Sequence, residues 1–179
     1  MHVIISELDP ESANTVSSLW YELRKVCGLK AIYEVPRPHV TWFGADLIDV
    51  AKVTNLMKQI ADEESPLTLR SFGFGVFSGK TPVLYLPIVK TETLFTLHRK
   101  IWEQVYPFST EASLYYAPDM WLPHITLALK DLNQDNLACA VNTIAFDPID
   151  LVFMIDNIAI ASYKNDPPGE ILEKFQIYD

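Results

Sequence analysis

The chain has 179 residues, 49% of them hydrophobic and 21% charged, which is the balance of a folded unit with a full core and not of a disordered segment. A formal net charge of −9 weighs against long polyanions, whose affinity is built from many Lys and Arg contacts to phosphates. One small phosphorylated ligand needs only a few local donors. The apolar start, His2-Val3-Ile4-Ile5, meets Ser6-Glu7 too soon for a secretory or membrane segment. The expected address is therefore the cytoplasm, where Cys27 and Cys139, both inside helical patterns, are expected to stay unpaired.

Residues 2–8 read as a strand. Asp9 is placed to cap a helix and Pro10 suits its first turn. Val16, Leu19, Trp20, Leu23, Val26 and Cys27 recur at helical spacing, and Gly28 is a natural stop. Pro36 and Pro38 keep the next approach extended, leading to a strand over 39–43 that Gly44 breaks. Val53, Leu56, Met57 and Ile60 form one face of a second helix over 49–64. Two β-rich runs, 67–77 and 83–89, flank a turn at 78–82. Thr91 caps a third helix carrying Leu94, Leu97, Ile101, Trp102 and Val105, and the aromatic stretch 107–121 reads as irregular. A strand over 124–129, a helix over 134–144 and strands over 151–161 and 171–177, turned at 166–169, complete the chain. Interleaved helices and strands make this α+β.

One phrase occurs twice. Pro38-His39-Val40-Thr41 and Pro123-His124-Ile125-Thr126 stand 85 residues apart, and the same offset carries Asp46-Leu47 onto Asp131-Leu132 and Val53 onto Ala138. The repeat predicts one domain over 1–179 built from two pseudo-symmetric lobes, each supplying one phrase. Along a strand His39 and Thr41 share a face, as do His124 and Thr126, while Val40 and Ile125 face the core. Two lobes related by a two-fold would bring both His–Thr pairs to one groove. Paired imidazoles suit phosphoester chemistry: near neutral pH one is free to accept a proton while the other donates one. The hydroxyls of Thr41 and Thr126 suit the non-bridging phosphoryl oxygens. Neither phrase brings further ligands at metal spacing, so no metal and no cofactor is expected, and Asp46 and Asp131 are better explained as helix caps. Ser78-Gly79-Lys80-Thr81 is not a phosphate loop, because Phe74 stands where the first glycine is needed and Pro82 with a strand follows. His98 reads as a packed histidine on the third helix and His2 as a surface one.

The paired phrases, with Tyr115-Tyr116-Ala117-Pro118-Asp119-Met120-Trp121-Leu122 leading into the second, resemble the two-histidine (2H) phosphoesterase superfamily, particularly its 2′-5′ RNA ligase-like branch. The resemblance implies a bilobal α+β fold, with two pseudo-symmetric β-sheet half-domains flanking a central groove and helices outside. It implies catalytic roles for His39, Thr41, His124 and Thr126. It also implies action on a 2′,3′-cyclic phosphate or related phosphodiester of a small nucleotide or RNA end, by hydrolysis or 2′-5′ ligation. A non-catalytic nucleotide-binding module using the same groove is the alternative. The arginine that many members carry after the second Thr is missing; Leu127, Ala128 and Leu129 stand there, and Lys130 is the substitute candidate. Phe43, Tyr115, Tyr116 and Trp121 are candidates to stack on a base, the core being the alternative place for each. The expected partner is a small nucleotide or cyclic-phosphate RNA end, with no long nucleic acid, no membrane and a monomeric protein.

Overall fold

The two strands that carry the repeated phrase lie side by side at the centre of one antiparallel sheet. The computed structural model describes residues 1–35, 37–163 and 169–178. The strands are β1 (His2–Glu7), β2 (His39–Ile48), β3 (Leu67–Phe72), β4 (Gly75–Phe77), β5 (Val83–Pro87), β6 (Ser109–Ala112), β7 (His124–Ala128), β8 (Asp150–Ile155), β9 (Asn157–Ser162) and β10 (Glu170–Gln176). The helices are α1 (Pro10–Cys27), α2 (Val50–Glu63), α3 (Glu92–Val105) and α4 (Leu137–Ile144), with short 3-10 turns at Ala31–Glu34, Tyr106–Phe108 and Leu114–Tyr116.

The main sheet runs β10-β9-β1-β2-β7-β5-β4, with β6 also pairing with β2; β3 and β8 form a separate two-stranded ribbon. The 85-residue offset explains this order. It carries β1 towards β5, β2 onto β7, and β4 onto β9, so β9-β1-β2 on one side is answered by β4-β5-β7 on the other. It also carries β3 onto β8, and these two equivalents pair with each other, Leu67 opposite Ile155 through Phe72 opposite Asp150. The copies are thus interwoven. The helices follow suit: α1 packs on α4 and β7, and α3 packs on β2. Together with antiparallel pairing and outer helices, this is the α+β fold expected of a 2H phosphoesterase.

Local chemistry sets the helix ends. The Asp9 carboxylate accepts from the Ser12 amide at 3.0 Å, Asp49 accepts from the Lys52 amide at 3.2 Å, and the Thr91 hydroxyl accepts from the Leu94 amide at 3.2 Å. Gly28 ends α1 with φ 74°.

Several expectations need correction. Run 67–77 is two strands, because Gly73 at φ 68° turns the chain out of the β3–β8 ribbon and into the main sheet. Run 151–161 divides likewise at Asp156, between β8 and β9. Continuous β propensity did not reveal that the partner strand changes midway. The stretch 107–121 is not wholly irregular, since β6 lies on β2. The turn at 166–169 falls outside the described residues except for Gly169. Cys27 and Cys139 are disulfide-bonded, with Cα atoms 5.8 Å apart. Their meeting follows from α1 crossing onto α4, a contact 112 residues apart that spacing does not show. Among the described residues no helix is long and apolar enough to cross a membrane.

Candidate active site

The two phrases meet at a single register position, Val40 opposite Ile125, and both of these side chains are fully buried in the core. Alternation then puts His39, Thr41, His124 and Thr126 on the other face, where all four are half-buried. Antiparallel register sets His39 beside Thr126 and Thr41 beside His124. The local two-fold passes between them.

Both imidazoles are held the same way. His39 Nδ1 lies 2.7 Å from the Arg37 carbonyl oxygen, and His124 Nδ1 lies 2.7 Å from the Leu122 carbonyl oxygen. A carbonyl only accepts, so each Nδ1 carries its proton and donates; the neutral ring then offers Nε2 as the acceptor. The backbone behind each threonine is fixed symmetrically too. The Trp121 indole donates to the Thr41 carbonyl and the Trp20 indole to the Thr126 carbonyl, each at 3.0 Å. Burial pushes both imidazoles below their ordinary pKa. For His39 the Arg37 carbonyl opposes that shift, the neighbouring His124 adds to it, and the Glu7 carboxylate opposes it. For His124 the Leu122 carbonyl opposes it.

The remaining candidates divide. Phe43 is not in the groove. Ile4 pairs with Phe43 but Ile5 pairs with Thr41, so β2 carries one extra residue there, and this bulge turns Phe43 into the core against Trp102, ring centroids 5.1 Å apart. Trp121 is also a core residue, only 1% exposed, stacked on Trp42 at 5.6 Å and flat against His98 at 3.8 Å. Its indole N–H serves Thr41, and its ring is not available to a base. Tyr115 is exposed. Tyr116 does lie on the face of the His–Thr pairs: its hydroxyl reaches the Thr41 side chain, and its ring covers Gly44, where a Cβ would stand 2.9 Å from the ring. Burial raises the Tyr116 pKa, so the phenol stays neutral. Lys130 lies past the end of β7 with φ 63° and is engaged with Glu34 at 2.5 Å. Asp131 does not cap its own helix; its Oδ2 accepts from the Lys30 and Ala31 amides at 2.7 and 2.8 Å and secures the 3-10 turn at Ala31–Glu34. Asp46 is exposed on β2, and Asp49 is the α2 cap. His98 is buried, with Nε2 3.0 Å from the Tyr116 carbonyl, and burial lowers its pKa to about 4.

Three residues beside the His–Thr pairs escaped the sequence reading. Tyr85 pairs in register with Thr126, and Phe77 stacks on it at 4.0 Å; the rings of Phe77 and Tyr85 stand 5.0 and 5.4 Å from His124. The alternation Leu84-Tyr85-Leu86 points Tyr85 away from the core, but nothing in the sequence says which strand adjoins it. Glu7 pairs in register with His39, is 7% exposed and is ion-paired with Lys174. Among the described residues no three His, Cys, Asp or Glu side chains are grouped to hold a metal ion.

Comparison with known proteins places these features in a group. A family model described as the 2′-5′ RNA ligase superfamily matches residues 8–167. Two curated Bacillus relatives carry the name "Putative phosphoesterase". The B. pumilus protein is 25% identical over 146 residues (80% of this chain, 81% of that one), and the B. licheniformis protein is 26% identical over 144 residues (74% and 80%). Among solved structures, TT0787 of Thermus thermophilus superimposes with a TM-score of 0.63 at 18% identity, covering 98% of this chain and 97% of that one. E. coli LigT complexed with 3′-AMP gives 0.63 at 12% identity, covering 99% and 98%. At such identities these structures share the fold.

Proposed function

The chain belongs to the 2′-5′ RNA ligase superfamily, and on that premise we propose that it is a metal-independent phosphoesterase acting on a 2′,3′-cyclic phosphate, or a related phosphodiester, of a small nucleotide or RNA end. One observation carries the reading: two imidazoles, each donating Nδ1–H to the carbonyl two residues before it, each beside a threonine, on one face of paired strands. In this scheme a neutral Nε2 removes a proton from water as the water oxygen attacks phosphorus. The bond from phosphorus to one ribose oxygen breaks, and the second, protonated imidazole gives its Nε2 proton to that oxygen. Thr41 and Thr126 donate to the non-bridging oxygens, where charge accumulates. With an RNA 5′-hydroxyl in place of water and O3′ as the leaving atom, the same groups produce a 2′-5′ linkage.

The Phe77–Tyr85 pair beside His124 offers an apolar wall suited to a nucleobase, and Tyr116 bounds the Thr41 side. The relatives' name supports a phosphoester as the substrate, and the 3′-AMP held by LigT supports a small nucleotide as the ligand. The reading takes the protein to be a cytoplasmic monomer. The test is a panel of 2′,3′-cyclic mononucleotides offered to the wild type, His39→Ala and His124→Ala. Turnover by the wild type, reduced by about 10²–10⁴-fold in each variant, is the expected result. Tight binding with no turnover would overturn it in favour of a nucleotide-binding module.

A further inference from the structure

The two-fold that relates the phrases is not obeyed by their surroundings. Position by position, the Nδ1 acceptors match: the carbonyl of Arg37 for His39 and that of Leu122 for His124. The strand partners do not match. His39 lies opposite Glu7 on β1, while the corresponding place opposite His124 on β5 is Pro87. Directly opposed side chains on one face of an antiparallel pair have Cβ atoms about 5 Å apart, so a carboxylate stands opposite one imidazole and a proline opposite the other.

Glu7 is also held with unusual care for a charged residue. Its backbone N–H donates to the Asn157 side-chain oxygen at 3.0 Å, and its carbonyl accepts from the Asn157 amide at 2.9 Å. Asn157 is itself buried, with 2% exposure. The carboxylate takes Lys174 Nζ at 2.5 Å on one oxygen and the Arg37 guanidinium at 4.0 Å on the other. Lys174 comes from β10, where it pairs with Ala159 on β9, the strand next to β1. A buried carboxylate costs stability unless its partners compensate it, and here Lys174 and Arg37 are those partners.

We propose that Glu7 is a positioning residue: its carboxylate favours a proton on His39 and not on His124, to a degree set by Lys174. The inference rests on the phosphoesterase reading only in its consequence, which is that Glu7 tunes the proton transfer at His39 separately from that at His124. Among the described residues, the charged and titratable groups that face His39 are Glu7 on β1, Lys174 on β10, His124 on β7 and Arg37 on its own approach, with the neutral Tyr116 phenol beyond Thr41. His124 faces His39, Phe77, Tyr85 and Pro87. Of these charged side chains only Glu7 favours a proton on His39, alongside the Arg37 carbonyl that accepts its Nδ1–H. Lys174 and Arg37 each weaken it by neutralising Glu7.

The arrangement therefore predicts opposite signs for two substitutions. Glu7→Gln removes the carboxylate and leaves Lys174, so the His39 pKa falls, by about one pH unit. Lys174→Met leaves Glu7 less neutralised, so the His39 pKa rises. The measurement is an NMR titration of the His39 and His124 ring signals in the full-length wild type and both variants, with Glu7→Asp expected to restore most of the wild-type value. His124 should move by less than about a third as much as His39. A merely structural Glu7 would shift neither ring, or both together. Either of those outcomes, or shifts of the same sign in the two variants, overturns the proposal. If Glu7→Gln does not fold, the rise in Lys174→Met decides, and no rise overturns it. The titration needs no substrate, so a protein that turns over no phosphodiester yet shows the opposed shifts keeps this inference and loses the reading of its reaction.

Discussion

Breaking the Cys27–Cys139 bond tests how firmly the interwoven halves are tied. The bond closes a loop with a sequence separation of 112, joining the last residue of α1 to α4. For a loop of that length the chain-entropy account gives about 5 kcal/mol at 25 °C, as an upper figure, and measured losses are typically about 2–4 kcal/mol. Against a total stability of about 5–15 kcal/mol that is a large share. For a chain of this size a loss of about 3 kcal/mol lowers Tm by about 6–12 °C. The assay is urea and thermal unfolding of oxidised wild type, reduced wild type and Cys139→Ser, with a thiol count on each sample. Turnover by folded protein at 25 °C should stay within about twofold, because α1 packs on β7, with α4 on α1, and the buried side chains of β7 are Ile125 and Leu127, on the face away from His124 and Thr126. Oxidised and reduced protein unfolding within about 1 kcal/mol of each other would refute the reasoning. The same thiol count on protein taken from cells bears on the cytoplasmic address, where such a pair is normally kept reduced.

Removing both imidazoles together should cost little more than removing either one, since the pair acts as a unit; rates of the His39→Ala, His124→Ala double variant check this, and additive losses would count against a shared mechanism. Because burial lowers the pKa of both imidazoles, the bell-shaped rate profile should centre on the acid side of the ordinary imidazole range and should be unaffected by EDTA; activity lost to a chelator and restored by a divalent ion would transfer the site to metal catalysis. His98 has a folded pKa of about 4 against 6.5 unfolded, so the unfolded state binds the extra proton between those values. Its contribution, about 3 kcal/mol, is fully present above pH 6.5 and is lost as pH falls towards 4, and urea unfolding of the wild type and His98→Phe at pH 4.5 and 7 should show the variant less acid-sensitive. Finally, with a net charge of −9 and Lys130 already paired, KM for a cyclic mononucleotide should depend only shallowly on salt; a much tighter KM for long RNA that weakens steeply with salt would reveal a basic track.

The sequence by itself determined the repeat and the strand faces that its period imposes. Pro-His-Val-Thr and Pro-His-Ile-Thr at a fixed offset gave two strands, each with a His–Thr face and an apolar face. The caps at Asp9 and Thr91 and the stop at Gly28 are equally local, because each depends on one side chain and the amides within a turn of it. Tertiary structure alone decided which side chains join the histidines. Phe43 has the right parity for the groove but lies behind a bulge that appears only when β2 is laid against β1. Trp121 has the size to hold a base, yet its N–H is wanted by a carbonyl on β2 that the ladder with β7 does not serve. Tyr85, Phe77 and Glu7 reach the site through strand neighbours 41, 47 and 32 residues distant from the site residues they adjoin, in the order Thr126–Tyr85, His124–Phe77 and His39–Glu7. Cys27 meets Cys139 because the first helix crosses to the second half. Periodicity reports which way a side chain points within its own element. Which element lies opposite is fixed by register and crossover, and those are settled only when the whole core packs.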